Sequence, residues 1–182
     1  MRDVVSSIEG EFRRYQQMAE KVFAQLDDHQ LCACDPSGGN SVAALVWHLA
    51  GNFTSRFTDF LDSDGEKPWR AREEEFVRRK VTRQELTARW DAGFAVLFAT
   101  TAGLDDTHLG RTVTIRGVGL SVLEALHRSL AHTSYHVGQM VFLGRLLKSD
   151  DWTYLSIPPG GSGAYNQNPT RERAPGSEPE TR

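Results

Sequence analysis

Two histidines in the C-terminal half of the sequence have the spacing of a metal-binding pair. The segment His132-Thr-Ser-Tyr-His136 places them four residues apart. In an α-helix such residues lie about 40° apart around the axis and one turn apart along it, so both imidazoles project from one face. Imidazole binds zinc, nickel, iron and copper. The pair alone is a weak indication, because one helix cannot surround an ion.

The third candidate ligand is His48, which lies between apolar neighbours in Leu45-Val-Trp-His-Leu-Ala. A lone histidine in such a place is usually a core residue satisfied by one hydrogen bond. A metal role becomes the better interpretation because a second helix offers a histidine pair, and bundles build metal sites from inward side chains on facing helices. His127 points to another side of its helix, and His29 and His108 fall in predicted connectors.

Three neutral nitrogens would leave at least one coordination position of a divalent ion open. Three protein ligands plus water are typical of a catalytic site, whereas structural zinc usually has four protein ligands. Such an ion can acidify a bound water toward neutral pH. The sequence has no HExxH motif and therefore lacks the general base of zinc proteases at this place. The sequence does not identify the catalytic residues.

Four polar residues near the predicted ligands are candidates for substrate binding. Asn52 and Arg56 follow the second-helix histidine by one and two turns, and they could line a pocket mouth or face solvent. Arg128, one turn before the histidine pair, could hold an anionic substrate group or pair with Glu124. Gln139, three residues after the pair, could support a ligand or face solvent.

Apolar residues recurring at steps of three and four predict the helices that would carry these side chains. The first covers about residues 5–26, and the second begins at Asn40 or Ser41 and ends near Asp62. Capping boxes at Thr82-Arg-Gln-Glu and Ser121-Val-Leu-Glu begin the third and fourth helices. These last two helices extend to about residues 103 and 148.

The connecting segments complete the predicted architecture. The charged run over residues 70–80 is typical of a solvated face. Residues 104–120 are expected to form an extended connector, with room for a small hairpin. The pattern predicts an all-α four-helix bundle over residues 1–168, with this long connector before the fourth helix. Residues 169–182, which have almost no large apolar side chain, are predicted to be a disordered tail.

Composition narrows the class of partner. The 182 residues include 24 acidic and 21 basic ones, for a net charge of −3, which argues against nucleic-acid binding. The N-terminal residues lack the apolar core of a secretory signal, and no apolar run approaches a membrane span. We therefore expect a cytoplasmic protein without a membrane partner. Cys32 and Cys34 are interpreted as free thiols.

Several segments together resemble a known family. The sequence resembles the DinB-like superfamily, also called the YfiT-like metal-dependent hydrolases, and within it the uncharacterised DUF1572 branch. The resemblance covers about residues 8–168, and it is carried by residues 40–52, 55–56, 64–70, 129–139 and 155–158.

The resemblance implies a four-helix bundle, often a homodimer, with His48, His132 and His136 around a divalent metal, commonly zinc or nickel. Characterised relatives include transferases and isomerases that use a low-molecular-weight thiol, and other relatives are stress-induced proteins. A metal-dependent hydrolase or thiol-dependent transferase acting on a small molecule is therefore our first interpretation. The loop Asp64–Arg70 belongs to the branch pattern without a mechanism of its own.

Two other interpretations stay open at this stage. In one, the protein binds metal without catalysis, as a structural, sensory or stress-response protein. In the other, it is a helical dimerisation module whose histidines are core residues and hold no metal.

Overall fold

Four long helices form the framework of the molecule, which a computed structural model describes over residues 1–35, 38–170 and 172. Two short helices are added to them. In chain order the six are α1 (Asp3–Gln25), α2 (Asp28–Cys32), α3 (Val42–Phe57), α4 (Arg83–Ala102), α5 (Val122–Lys148) and α6 (Ser162–Tyr165). Short 3-10 helices cover Arg72–Phe76, Asp106–His108 and Ser149–Asp151.

The four long helices surround one core. Helix α1 packs on α4 and α5, and α3 packs on the same two helices, so each long helix has two neighbours. Aromatic rings fill the centre: Phe53 meets Phe94 with ring centroids 4.8 Å apart, and Trp90 meets Phe94 at 4.7 Å. The predicted four-helix bundle is confirmed.

The predicted helix starts are also confirmed. The Ser41 side chain accepts a hydrogen bond from the Ala44 amide at the start of α3. Capping boxes formed by Thr82 with Glu85 and by Ser121 with Glu124 begin α4 and α5. Each box satisfies backbone amides that would otherwise lack a partner in the first turn.

The end of the second predicted helix was placed too late. Helix α3 ends at Phe57, and the chain then turns through Asp59, whose φ is 47°. Phe60 nevertheless stays buried, because the turn folds its ring back against Phe57 with centroids 5.3 Å apart. The apolar pattern of the sequence therefore continued past the last helical residue.

The connector before α5 contains a small antiparallel hairpin. Strand β1 (Thr112–Ile115) pairs with β2 (Val118–Ser121). The two turn residues, Arg116 and Gly117, have φ values of 55° and 75°, as tight hairpin turns require. The Asp64 carboxylate accepts hydrogen bonds from both turn amides, at 2.9 and 2.8 Å. This contact fixes the hairpin against the loop that follows α3.

Two further predictions concern membrane-spanning helices and the C-terminal tail. None of the helices in the described ranges is long and apolar enough to cross a membrane. The predicted disordered tail, residues 169–182, falls almost entirely outside the described residues, and the boundary of a domain over residues 1–168 stays a prediction.

Candidate metal centre

The three predicted histidines come together between α3 and α5. The Nε2 atom of His132 lies 3.1 Å from the Nε2 of His48 and 3.1 Å from the Nε2 of His136. One nitrogen from each ring lies within 4.8 Å of the other two, so the three lie close enough to hold a metal ion. His48 and His136 are buried and His132 is half-buried.

A buried carboxylate orients the His48 ring. The Nδ1 of His48 donates to the Glu75 carboxylate at 2.8 Å. Burial raises the pKa of Glu75, but the hydrogen bonds from His48 and Arg70 lower it, and the net result is a pKa below its usual range. The carboxylate is therefore ionised and can only accept. A proton of His48 consequently lies on Nδ1, and in the neutral imidazole the lone pair of Nε2 faces the other two histidines.

The His136 ring is oriented in the same way by a different group. Its Nδ1 donates to the side-chain oxygen of Gln139 at 2.7 Å. Its Nε2 therefore also presents a lone pair to the cluster. Outer hydrogen bonds of this kind fix the tautomer of metal-binding histidines and raise their basicity as ligands.

The half-buried His132 lies between the other two rings. Burial is the main cause that lowers its pKa, to about 3, and the nearby His136, His48, Arg70 and Arg56 lower it further. His132 is therefore neutral at physiological pH. A neutral imidazole carries one proton, so its Nε2 can donate to at most one of two neighbours that are both acceptors. A cation satisfies all three nitrogens at once.

The nitrogen spacing fits a small divalent ion. Zinc binds imidazole nitrogen at about 2.0–2.1 Å, and tetrahedral angles between such bonds place two nitrogens about 3.3–3.4 Å apart. The 3.1 Å separations in the cluster are close to that value. The donor set, the fixed tautomers and the spacing all suit a metal with three protein ligands.

Glu75 and Arg70 are the site residues that sequence reasoning missed. The charged run over residues 70–80 was expected to be solvated, but the side chains of Arg70 and Glu75 are only 3% and 7% exposed. Arg70 donates to both Glu75 oxygens, at 2.8 and 2.9 Å. The burial arises because the 3-10 helix Arg72–Phe76 packs on α3, with Phe76 against the His48 ring at 4.7 Å between centroids.

A glycine in α3 makes room for the Glu75 carboxylate. A Cβ atom at Gly51 would lie 2.3 Å from a Glu75 oxygen. No Cβ atom tolerates such a distance, so only glycine lets the carboxylate lie against the helix beside His48. The Gly51 position is therefore part of what aims the histidine ring.

The loop Asp64–Arg70, to which the sequence alone assigned no mechanism, attaches Arg70 to α3. The Gly65 carbonyl accepts hydrogen bonds from the Ser55 hydroxyl at 2.8 Å and from Arg56 at 2.6 Å. The Ser55 hydroxyl also accepts from the Lys67 amide at 3.1 Å. These bonds hold the loop along the helix that carries His48, and so deliver Arg70 to Glu75.

A cavity of about 610 Å³ opens beside the histidines. Its lining includes all three, together with the predicted residues Asn52, Arg56 and Arg128. Gln139 lies elsewhere: it supports His136 from behind and borders a different surface depression. The structure thus brings three of the four candidate substrate residues to the cavity that contains the histidines and gives the fourth a supporting position.

Fold and cluster together define a class: a helical-bundle protein with a three-histidine group that could bind metal. A family model described as "Protein of unknown function (DUF1572)" matches residues 1–161. The chain belongs to the DUF1572 family. A search of curated proteins finds no match to this chain.

Proposed function

We propose that this chain is a metal-dependent enzyme of the DinB-like superfamily, acting on a small molecule, with His48, His132 and His136 as ligands of a divalent ion. The observation that carries the proposal is the convergence of three Nε2 atoms, with the tautomers of His48 and His136 set by Glu75 and Gln139. The cluster borders a cavity of ligand size, which favours a working site over a closed structural one.

A divalent ion held there, zinc or nickel, would act as a Lewis acid that lowers the pKa of a water or thiol. The protein's own groups prepare the ligands. Glu75 holds the proton of His48 on Nδ1, and Arg70 keeps that carboxylate ionised inside the bundle. Phe76 packs against the His48 ring, with centroids 4.7 Å apart, and this contact limits water on that face of the imidazole.

Two reaction classes suit such a site. In hydrolysis, water adds across a substrate bond, with its hydroxyl on one fragment and its proton on the other. In thiol transfer, the sulfur of a low-molecular-weight thiol bonds to the substrate carbon as the leaving group departs, and the thiol proton is released. The resemblance to DinB-like proteins supports both, and the catalytic residues stay unassigned.

Elemental analysis of the untagged protein tests the metal site. We expect near-stoichiometric zinc or nickel in the wild type, and its loss in His136→Ala. His127→Ala is the matched control, because His127 is an exposed histidine on the same helix outside the cluster. Metal in the control but not in His136→Ala supports the site. A wild-type protein that stays metal-free after reloading would contradict the proposal. The remaining interpretation would then be a helical dimerisation module without metal.

A cobalt-substituted sample separates the two reaction classes. Addition of a cellular thiol should produce a sulfur-to-cobalt charge-transfer band if the transferase reading is right. The absence of the band with every thiol tested would leave hydrolysis as the enzymatic proposal.

The melting temperature distinguishes catalysis from a structural metal. An ion that joins α3 to α5 only to hold the fold contributes its binding energy to folding, so its removal should lower the melting temperature strongly. The bundle has an aromatic core that includes none of the three histidines, which favours a modest shift.

The partner we propose for the whole chain is a second copy of itself. Helix α5 exposes Tyr135, Phe142 and Leu146 at 62%, 72% and 50%, and these residues lie along one side of the helix. Gly138 beside them has open space at its Cβ position. Light scattering should give a dimer for the wild type and a monomer for Phe142→Glu, and a monomeric wild type would contradict the proposal.

A further inference from the structure

The cavity beside the histidines is lined by a concentration of positive charge. Five arginines from four parts of the chain border it: Arg56 of α3, Arg70, Arg72, Arg116 of the hairpin turn and Arg128 of α5. The molecule as a whole has a net charge of −3. The side chains that line the cavity are therefore positively charged, whereas the protein as a whole is negatively charged. In a concave, partly desolvated space the electrostatic field of such groups is concentrated.

The carboxylates that pair with these arginines are fewer than the arginines. Glu66 alone faces Arg56 at 3.0 Å, Arg116 at 3.3 Å and Arg70 at 3.6 Å. Glu75 is taken by Arg70 and His48, and the exposed Glu73 pairs with Arg72. Among the described residues, three acids thus pair with four of the five arginines, and Arg128 has no acidic partner.

The arginines divide into buried and accessible ones. Arg56 and Arg70 have side chains 14% and 3% exposed, and their donors are directed to Gly65, Glu66 and Glu75. Arg116 is 59% exposed and, within the described ranges, pairs with one carboxylate, Glu66, which it shares with Arg56 and Arg70. Across the described part of the chain, Arg128 has no hydrogen-bond or ion-pair partner at all. Arg116 and Arg128 are therefore the groups with donors to spare for a ligand.

Neutral polar groups deeper in the cavity also lack partners. Ser129 is 93% buried and lines the cavity. Its hydroxyl makes no hydrogen bond in the described structure. The Asn52 amide, buried on the facing helix, likewise has no hydrogen-bond partner among residues 1–35, 38–170 and 172. An unsatisfied buried polar group is costly, so a ligand atom would be stabilised at the Ser129 hydroxyl. The Asn52 amide, without a hydrogen bond among the described residues, can donate to a ligand and accept from it.

We propose that the cavity binds a small molecule with an oxyanion group, a carboxylate or phosphate, held by Arg116 and Arg128. Ser129 and Asn52 hydrogen-bond the rest of the molecule on the side of the histidines. Guanidinium groups match both oxyanions by paired, charge-assisted hydrogen bonds. That this molecule is a substrate rests on the proposed function. Its binding does not, because none of the three histidines takes part in it.

Calorimetric titration of the full-length protein with inorganic phosphate and with succinate tests the oxyanion. We expect saturable binding of at least one, weakened about tenfold in Arg116→Gln and in Arg128→Gln, because a hydrogen bond to a charged group contributes about that factor. Arg145→Gln is the matched control, since Arg145 lies on the same helix and contacts Tyr154 outside the cavity. A preference for phosphate or for succinate identifies which oxyanion the site takes.

The metal content of each sample, measured in parallel, separates this inference from the proposed function. Anion binding without metal would leave the inference in place and count against the enzyme. Metal without anion binding, or equal binding by Arg128→Gln and the wild type, would overturn the inference and leave the metal site standing.

The Ser129→Ala variant tests the deeper half of the cavity. Removal of an unpaired buried hydroxyl should leave the melting temperature unchanged or higher. Glycerol 3-phosphate, which adds hydroxyls to the oxyanion, should bind more tightly than inorganic phosphate to the wild type, and this advantage should shrink in Ser129→Ala. An advantage of the same size in both proteins would contradict the assignment of Ser129.

Discussion

Helix α3 has two faces that differ in how their groups are satisfied. On one face Phe53 packs against Phe12, Phe57 and Phe94, and Ala50 touches Gly93 of α4. On the other face His48 and Asn52 border a cavity with unpaired donors and an excess of arginines. The apolar face is packed with side chains of the bundle, whereas the polar face contains groups without a hydrogen-bond partner among the described residues. We therefore assign stability mainly to the first face and the proposed function to the second.

The largest expected effect is on the apolar face. Phe53→Ala should lower the free energy of unfolding by about 3–5 kcal/mol, because it removes a fully buried ring and leaves a cavity. Urea unfolding measures the loss, and the zinc content of the folded fraction should stay that of the wild type. If the alanine variant does not fold, Phe53→Leu should show a smaller loss with the same metal content. A selective loss of metal would mean that the two faces are not separable.

Two glycines provide a matched pair of smaller changes. A Cβ at Gly93 would lie 2.7 Å from the Ala50 Cα, which is helix backbone and cannot move aside, so Gly93→Ala should destabilise by about 1–3 kcal/mol. The three atoms nearest to a Cβ at Gly51 all belong to the Glu75 side chain. The Gly51→Ala protein should be as stable as the wild type, because alanine has a better helix propensity than glycine. It should bind zinc more weakly, because the new Cβ displaces the Glu75 carboxylate that orients His48. Unfolding curves and competition with a chelating dye measure the two effects, and the reverse pattern would contradict the assignment.

Glu75 tests the polar face directly. Glu75→Gln removes the charge that holds the His48 proton and neutralises Arg70, so the zinc affinity should fall about 10- to 100-fold, as for other groups that orient metal ligands. Glu74→Gln is the control, because Glu74 is an exposed neighbour in the same 3-10 helix. Equal affinities for the two variants would show that the Glu75–His48 bond does not support the site.

The smallest expected effect concerns Asp64, which joins the loop after α3 to the hairpin. Hydrogen bonds from the backbone amides of Gly117, Glu66 and Arg116 lower its pKa to about 2 from 3.8. Because the folded pKa is the lower one, the ionised form contributes stability above pH 3.8, and this contribution is lost as the pH falls toward 2. Asp64→Asn should therefore lower stability by under about 1 kcal/mol at neutral pH.

Urea unfolding of both proteins over a pH series checks this prediction. The difference between Asp64→Asn and the wild type should stay constant down to about pH 4 and should disappear near pH 2. A difference that persists at the acid end would assign the effect to something other than the charge.

Features with a local signal were predictable from the sequence. The spacing of His132 and His136 and the two capping boxes depend on helix periodicity alone, and the structure bears them out as a close cluster and as helix starts. His48 was found because its apolar neighbours place it inside the bundle.

Features that depend on long-range contacts were not predictable. Glu75 follows two other glutamates in a charged run, and nothing local distinguishes it from Glu73 or Glu74. Its burial depends on a contact with His48, 27 residues away. The sequence shows a glycine within a helix at position 51. It does not show why glycine is needed there, because the Glu75 carboxylate reaches Gly51 only through the packing of the 3-10 helix Arg72–Phe76. The position of Gln139 behind His136, rather than in the cavity, likewise depends on how α5 is turned.

The division of the three histidines between α3 and α5 also sets the order in which the centre can be made during translation. His48, Arg70 and Glu75 leave the ribosome early, and they can pair while the rest of the chain is still being synthesised. His132 and His136 follow only with α5, 84 residues after His48. A nascent chain that lacks α5 therefore offers a single imidazole of the three-histidine cluster, and binding of the proposed metal by all three would have to wait until the last long helix docks. The three histidines therefore come together only in a chain whose fourth long helix has been synthesised and has packed onto the others.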